Sequence, residues 1–203
     1  TYPDVKYFAR SYLFKFFRTI SYLEDDSYFR SLDENFIKIS EENEYLKDFL
    51  SFVHPGYLFK YHSSLLKQYT NVIPSKLGVI RNIVSDPQCF QLIKGQITAD
   101  SILSMPYIEQ MVLLQKLSQF SYAVQYLVHS LPKVMSNLIQ KEGGDITESE
   151  TVALRTETIT NLLKYEPSDL DAWYIPLTDE LAKIHGFSTK NAARTQVTSS
   201  YVQ

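Results

Sequence analysis

A chain of 203 residues, 44% hydrophobic and 21% charged, holds enough apolar material for a real core, and its length favours one large domain over two small ones. A formal net charge of −3 argues against a nucleic-acid-binding domain, which would be basic, and six glycines with eight prolines are too few for an all-β fold with many tight turns. The single cysteine, Cys89, excludes an intramolecular disulfide framework and an all-cysteine metal site, and it fits a reducing intracellular compartment, cytoplasmic or nuclear.

The first helix is expected to open at Pro3, a natural first-turn residue. Val5, Phe8, Ala9, Tyr12, Leu13, Phe16, Phe17 and Ile20 follow the three-and-four spacing of one apolar face, which the domain core is expected to claim. Lys6, Arg10, Lys15 and Arg18 lie opposite. Tyr7 and Phe14 share that basic side, two turns apart and within about 20° of each other at roughly 100° per residue. A helix with one buried face does not need rings there. Either the chain buries this helix on both sides, or its basic, aromatic side meets something else.

Asp25-Asp26-Ser27 stops this helix and caps a second, which runs to about Ile39 through Phe29, Leu32 and Phe36. Ser40 with Glu41, Glu42 and Glu44 suits the positive end of a third, with Tyr45, Leu46, Phe49, Leu50 and Val53 as its apolar set and His54-Pro55-Gly56 as its end. Between Glu24 and Asp48 nine acidic residues face only Arg30, Lys38 and Lys47, so acidic helices follow a basic one; neighbouring outer faces that neutralise each other would account for this. A fourth helix spans about Tyr57 to Tyr69, and Pro74-Ser75 starts a fifth with Leu77, Ile80 and Val84. Asp86-Pro87 reads as a cap plus a first-turn proline, opening a short helix that ends near Gly95. One turn of helix is expected within Thr98 to Leu103.

Pro106 introduces the longest run, about Tyr107 to His129, whose stripe includes Ile108, Met111, Leu117, Val124 and Leu127. Pro132 restarts a helix that ends at Gly143-Gly144. Thr147-Glu148-Ser149-Glu150 has the form of a capping box for the next helix, with Val152, Ile159, Leu162 and Leu163 inward and Pro167 as its end. Trp173, the only tryptophan, is expected to anchor a loop on the bundle, with an interface hot spot as the alternative. Thr178 caps a last helix that stops at Gly186. From Ser188 onward Ser, Thr, Asn and Gln dominate, as in a tail.

The expected fold is therefore all-α: a single irregular helical bundle of about eight to ten helices around a long central helix at Tyr107–His129. Residues 1–187 form the domain and 188–203 a polar tail; the alternative is two sub-bundles divided near Gly143-Gly144. No internal repeat of the helical-repeat periods stands out. No apolar run reaches the roughly 18 residues that span a membrane. The opening at Thr1, with neither Met nor a signal-peptide pattern, suits an excised or processed piece.

Chemistry-bearing constellations are missing from the sequence. Glu-x-x-His and His-Glu-x-x-His do not occur, so no metal site is expected. His129 and His185 fall where helix ends are expected, and His54 belongs to a helix stop. There is no Gly-x-Ser-x-Gly elbow and no phosphate loop, hence no catalytic residue and no cofactor site is assigned. Cys89 lies three positions after the Asp86 cap, where helix amides can favour a thiolate, but Phe90, Leu92 and Ile93 beside it favour a buried, inert thiol. Direct nucleic-acid binding and membrane-surface contact both require the basic helix to act alone, and neither is expected. What remains is a non-catalytic protein–protein interaction module, a scaffold or subunit of a larger intracellular complex. The residues expected to meet another protein are Tyr7, Arg10, Phe14 and Arg18, because aromatics and Arg dominate interface hot spots. The alternative is an internal aromatic-lined pocket for a lipid or small molecule.

Overall fold

The computed structural model describes the backbone of residues 2–140 and 146–199 and the side chains of residues 6–140 and 146–186. Every regular element among the described residues is helical, and the chain is all-α as its periodicity implies. Contacts cluster into two compact units, Thr1–Ser101 and Ile102–Gln203.

The first unit contains α1 (Tyr2–Ser21), α2 (Ser27–Leu32), α3 (Leu46–Phe52), α4 (Pro55–Tyr69), α5 (Leu77–Ile83) and α6 (Pro87–Ile93), with α7 (Ala99–Leu103) leading out of it. Packing alternates along the chain, for α3 lies on α5 and α4 lies on α6. Phe29, Leu50, Leu58, Leu66, Ile80 and Phe90 are fully buried between them. Helix ends close with local chemistry. The Asp86 carboxylate accepts from the Cys89 amide at 2.9 Å, as its place before Pro87 implies. His54 caps α4 by accepting the Gly56 amide on Nδ1 at 2.9 Å. A Cβ at Gly56 would stand 2.9 Å from that ring, so a larger residue would have to displace the capping imidazole. Asn82 donates to the Leu50 and Val53 carbonyls at 2.9 and 2.8 Å, satisfying the end of α3 from a neighbouring helix. Cys89 is buried, its Sγ 3.1 Å from the Pro55 carbonyl oxygen. Burial pushes its thiol pKa up, and the nearby Asp86 carboxylate adds to the effect, so helix-start activation of a thiolate does not operate there.

The second unit contains α8 (Tyr107–Leu117), α9 (Ser121–Ser130), α10 (Pro132–Gln140), α11 (Ser149–Leu162), α12 (Pro167–Leu170) and α13 (Tyr174–Ser199). α8 packs on α11, α9 on α10 and α12, and α13 on α10 and α11. The long helix expected at Tyr107–His129 is two helices: the backbone turns extended at Phe120, φ −120° and ψ 126°. Side chains far along the chain receive the broken end. Tyr165 donates to the Ser118 carbonyl at 3.4 Å and Asn161 donates to the Ser118 hydroxyl at 3.2 Å. The capping box at Thr147 does not form; Glu148 precedes α11, and its carboxylate accepts from the Thr151 hydroxyl at 3.3 Å. Val152 is exposed instead of inward, while Arg155 is buried. Trp173 donates from Nε1 to the Val128 carbonyl at 3.3 Å, which is an anchoring contact onto α9. Thr178 lies inside α13 and bonds back to the Tyr174 carbonyl at 2.9 Å, and α13 runs past Gly186, so His185 is interior to a helix and not at its end. The break expected at Gly143-Gly144 lies outside the described residues, as do the side chains of the expected tail.

Candidate docking groove

α2 does not end as an ordinary helix. It widens into a π-turn over Asp33–Ile37, closed by the Lys38 amide donating to the Asp33 carbonyl at 2.7 Å. Lys38 then takes φ 55°, a left-handed conformation that costs a side-chain-bearing residue about 1–2 kcal/mol. Lys38→Gly is therefore expected to stabilise the fold by about 1 kcal/mol, read as a rise of roughly 2–4 °C in melting temperature.

Asp33 organises this corner. Its side chain is buried, and three donors converge on it: Tyr57 Oη and His62 Nε2 reach Oδ2, each at 2.6 Å, and the Ile39 amide reaches Oδ1 at 2.9 Å. Burial opposes ionisation, but the bonds from His62, Tyr57 and Ile39 outweigh it and hold the carboxyl below its usual range. Burial, and next the Asp33 carboxylate, push the Tyr57 phenol up, so it stays a donor. α4 departs from helical geometry at His62, φ −134° and ψ 28°, where the imidazole meets Asp33. Downstream, Asn43 donates to the Ile37 carbonyl at 2.7 Å and accepts from the Tyr45 amide at 2.8 Å, so local bonds shape residues 38–45 into a wall.

Between that wall and α1 lies an apolar groove of about 1150 Å³. Phe14 and Phe49 form its floor, the Phe14 ring being 5.3 Å from Phe49 and Phe52 and 5.7 Å from Tyr45. Ala9, Leu13 and Phe16 line it from α1, and Leu32, Phe36 and Ile37 line it opposite. Among the described residues, Lys6 and Arg10 are the ionisable cations on its lining, and no carboxylate lines it. The Arg10 guanidinium lies 5.6 Å from the Tyr7 ring centre and 5.4 Å from that of Tyr45.

α1 docks by a different side from the one its sequence implies. Phe14, Phe17 and Ser21 face α3 and its neighbours: Phe17 is 6.1 Å from Phe49, and the Ser21 hydroxyl accepts from the His54 amide at 3.1 Å. Phe8, Ala9, Tyr12, Leu13 and Phe16, expected in the core, are exposed. Periodicity shows which residues share a face, but not where the neighbouring helix lies. Here the rings of Tyr45, Phe49 and Phe52 draw in Phe14. Of the four residues expected to meet a partner, Tyr7 is 61% exposed and lines the groove with Arg10 and half-buried Phe14, while Arg18 sits beyond it with its guanidinium 5.9 Å from the Tyr22 ring centre. Three members of the acidic segment pair with cations outside α1: Asp26 with Lys60 at 2.7 Å, Glu34 with Arg30 at 2.8 Å, Asp33 with His62.

Exposed large apolar side chains crowd this corner. Tyr7, Phe8, Tyr12, Leu13, Phe16, Tyr22, Leu23, Tyr28 and Phe36 are nine of the twelve among the described residues; Ile73, Val152 and Ile175 are the rest. Scattered single residues of this kind are ordinary, but nine fall within thirty positions, and Tyr7, Leu13, Phe16 and Phe36 among them line one groove. Of the residues singled out from the sequence, Tyr7, Arg10 and Phe14 line the groove. Sequence reasoning missed Phe36 and the Asp33–His62–Tyr57 cluster, whose members are up to 29 residues apart and carry no motif.

The profile described as DNA mismatch repair protein HSM3, C terminal domain, matches residues 1–202. The chain belongs to this family. Relatives named DNA mismatch repair protein HSM3 include one from Candida glabrata, 44% identical over 98% of this chain, and one from Eremothecium gossypii, 45% identical over 99%. The Saccharomyces cerevisiae relative is 33% identical over 97% of this chain. Each alignment covers 42% of the relative, so the chain spans about two fifths of the length of these curated HSM3 relatives. Among the described residues no group of three or more His, Cys, Asp or Glu is placed to hold a metal ion, and no helix is long and apolar enough to cross a membrane.

Proposed function

We propose that this HSM3-type domain is a non-catalytic protein-interaction module, a subunit or scaffold piece of a larger intracellular assembly, that presents Tyr7, Arg10, Phe14 and Arg18 with the adjoining groove to another protein. The observation that carries this reading is the concentration of exposed aromatic and aliphatic side chains between Tyr7 and Phe36. Water-exposed rings in such density are costly unless covered, and aromatic residues with Arg are the side chains that dominate protein interfaces. The relatives' name places them in DNA mismatch repair, which supports an intracellular and nuclear setting. Within that setting a protein partner suits the groove better than nucleic acid. A nucleic-acid track would be a basic channel following phosphates, whereas this lining is mostly apolar with two cations. An enclosed lipid or ligand pocket is disfavoured too, because the groove is walled by side chains as open as Phe36, 78% exposed.

The experiment is quantitative co-purification with the full-length protein, comparing wild type with Tyr7→Ala/Phe36→Ala. Association is expected to weaken by about 2 kcal/mol or more, roughly thirtyfold, with the melting temperature unchanged. Phe14→Ala is the contrasting variant: its ring packs on three others, so it should also lower stability by about 2 kcal/mol or more. Unchanged association in the double variant would retire the reading.

A further inference from the structure

We propose that Asp171-Ala172 is a site of spontaneous backbone modification, where the folded chain converts aspartate to isoaspartate through a succinimide. Lys38 and Asp171 are the non-glycine residues with positive φ among the described residues. Asp171, at φ 49° and ψ −132°, stands close to the first corner of a type II′ turn, about +60° and −120°, a place that glycine favours. The ψ value decides the chemistry. Around the Cα–C bond of an L-residue, Cβ lies about 120° from the backbone nitrogen, so the next residue's nitrogen eclipses Cβ at a ψ of about −120°. There the Ala172 nitrogen, the Asp171 carbonyl carbon, Cα, Cβ and Cγ can close a nearly flat five-membered ring. Asp171 is about 12° from that arrangement. A helical ψ of about −42° or an extended one of about +135° holds the nitrogen well out of the ring plane.

The fold keeps Asp171 in this conformation. Its amide donates to the Pro167 carbonyl, and its own carbonyl accepts from the Tyr174 amide. Leu170 before it is fully buried, and Trp173 after it is tied to α9. Asp171 and Ala172 are both exposed, so water reaches the site. Ala172 sets only a methyl group beside the attacking nitrogen. Asp26 also precedes a small residue, Ser27, but has ψ −5°; Asp33 has ψ −51°, and Asp86, at ψ 129°, precedes a proline with no N–H. The reaction needs no reagent besides water. The Ala172 nitrogen bonds to Cγ of the protonated carboxyl, and its proton leaves with the carboxyl hydroxyl as water, closing the succinimide. Water then opens the ring. Breaking the bond from nitrogen to Cγ restores aspartate, whereas breaking the bond to the main-chain carbonyl carbon routes the chain through the side chain, as isoaspartate. One extra backbone carbon then separates Leu170 from Trp173 and pulls against the Trp173 anchor on Val128.

The test ages the full-length protein in neutral buffer at physiological temperature, once folded and once unfolded in guanidinium chloride. Isoaspartate is located by proteolysis and fragmentation mass spectrometry, and confirmed by methyl transfer from S-adenosylmethionine with an enzyme specific for isoaspartyl carboxylates. A non-glycine residue takes positive φ in only a few per cent of cases, so releasing Asp171 by unfolding is expected to slow its isomerisation about tenfold. In the folded protein Asp171 should also outpace Asp26 by about tenfold, because the Asp26 backbone is held away from the ring geometry. Asp171→Asn presents a side-chain amide to the same nitrogen and should lose ammonia faster than the wild type loses water. Isoaspartate that forms at Asp171 no faster in the folded than in the unfolded chain overturns the proposal. So does a yield at Asp171 no greater than at Asp26, or an Asp171→Asn variant that keeps its side-chain amide through the same ageing.

Discussion

Asp33→Ala is expected to cost roughly 3–5 kcal/mol of folding stability, the range for removing one partner of a buried, charged hydrogen-bond cluster. The substitution strands three donors at once: the Tyr57 hydroxyl, the His62 imidazole and the Ile39 amide. By contrast, the Asp26–Lys60 pair has a similar separation but is open to water and should matter little. The Asp33 effect has a pH signature. Its pKa is depressed in the folded chain, so the carboxylate's contribution is fully present above the ordinary carboxylate range and is lost as pH falls through the folded value. Urea unfolding of wild type and Asp33→Asn at neutral pH and at successively lower pH should show the gap between them shrinking below about pH 4. A gap that stays constant into acid would assign the loss to packing instead of charge.

Arg155→Ala should be comparably severe in the second unit, again roughly 3–5 kcal/mol. The buried guanidinium donates to the Leu138 carbonyl at 2.7 and 3.1 Å and to the Glu180 carboxylate at 2.9 Å. Its removal leaves Glu180 as a buried anion whose remaining counter-charge among the described residues is the exposed Lys183, 3.6 Å away. Arg155→Met with Glu180→Leu removes both charges and should recover much of the loss. Recovery will be incomplete, because the last carbonyls of α10 still lose their donor. A shift in urea midpoint at unchanged slope is the measurement. If the double variant is no better than Arg155→Ala, the pair is not the source of the effect.

What the sequence made legible was what neighbouring residues decide. Asp86-Pro87 announces its own helix because the cap bonds three residues ahead, and Pro55, Pro74 and Pro132 mark their boundaries for the same steric reason. The break at Phe120 was not legible, since the groups that receive it sit on α11 and just after it, more than forty residues away. Thr147 failed in the opposite sense: a pattern suited to a cap was present, and the helix began after it. For the groove, the residue types on α1 pointed to an aromatic and basic surface, yet the docking side of that helix was set by three rings on another segment. Asp33 lay inside an acidic run that reads as a solvated face, and only the fold turns it inward against His62.

The tie between Asp33 and Ile39 also turns one amide into a clock for the groove. Residues 38–45 form a wall attached through a few local bonds, and such a segment can detach and re-dock without global unfolding. When it does, the Ile39 N–H leaves the Asp33 carboxylate and meets water. Its hydrogen–deuterium exchange rate is thus expected to follow wall opening, slowing when a ligand occupies the groove, while amides deep in α4 and α5 keep the pace of the whole unit. Slow exchange at Ile39 unaffected by bound ligand would mean that the wall never moves on its own.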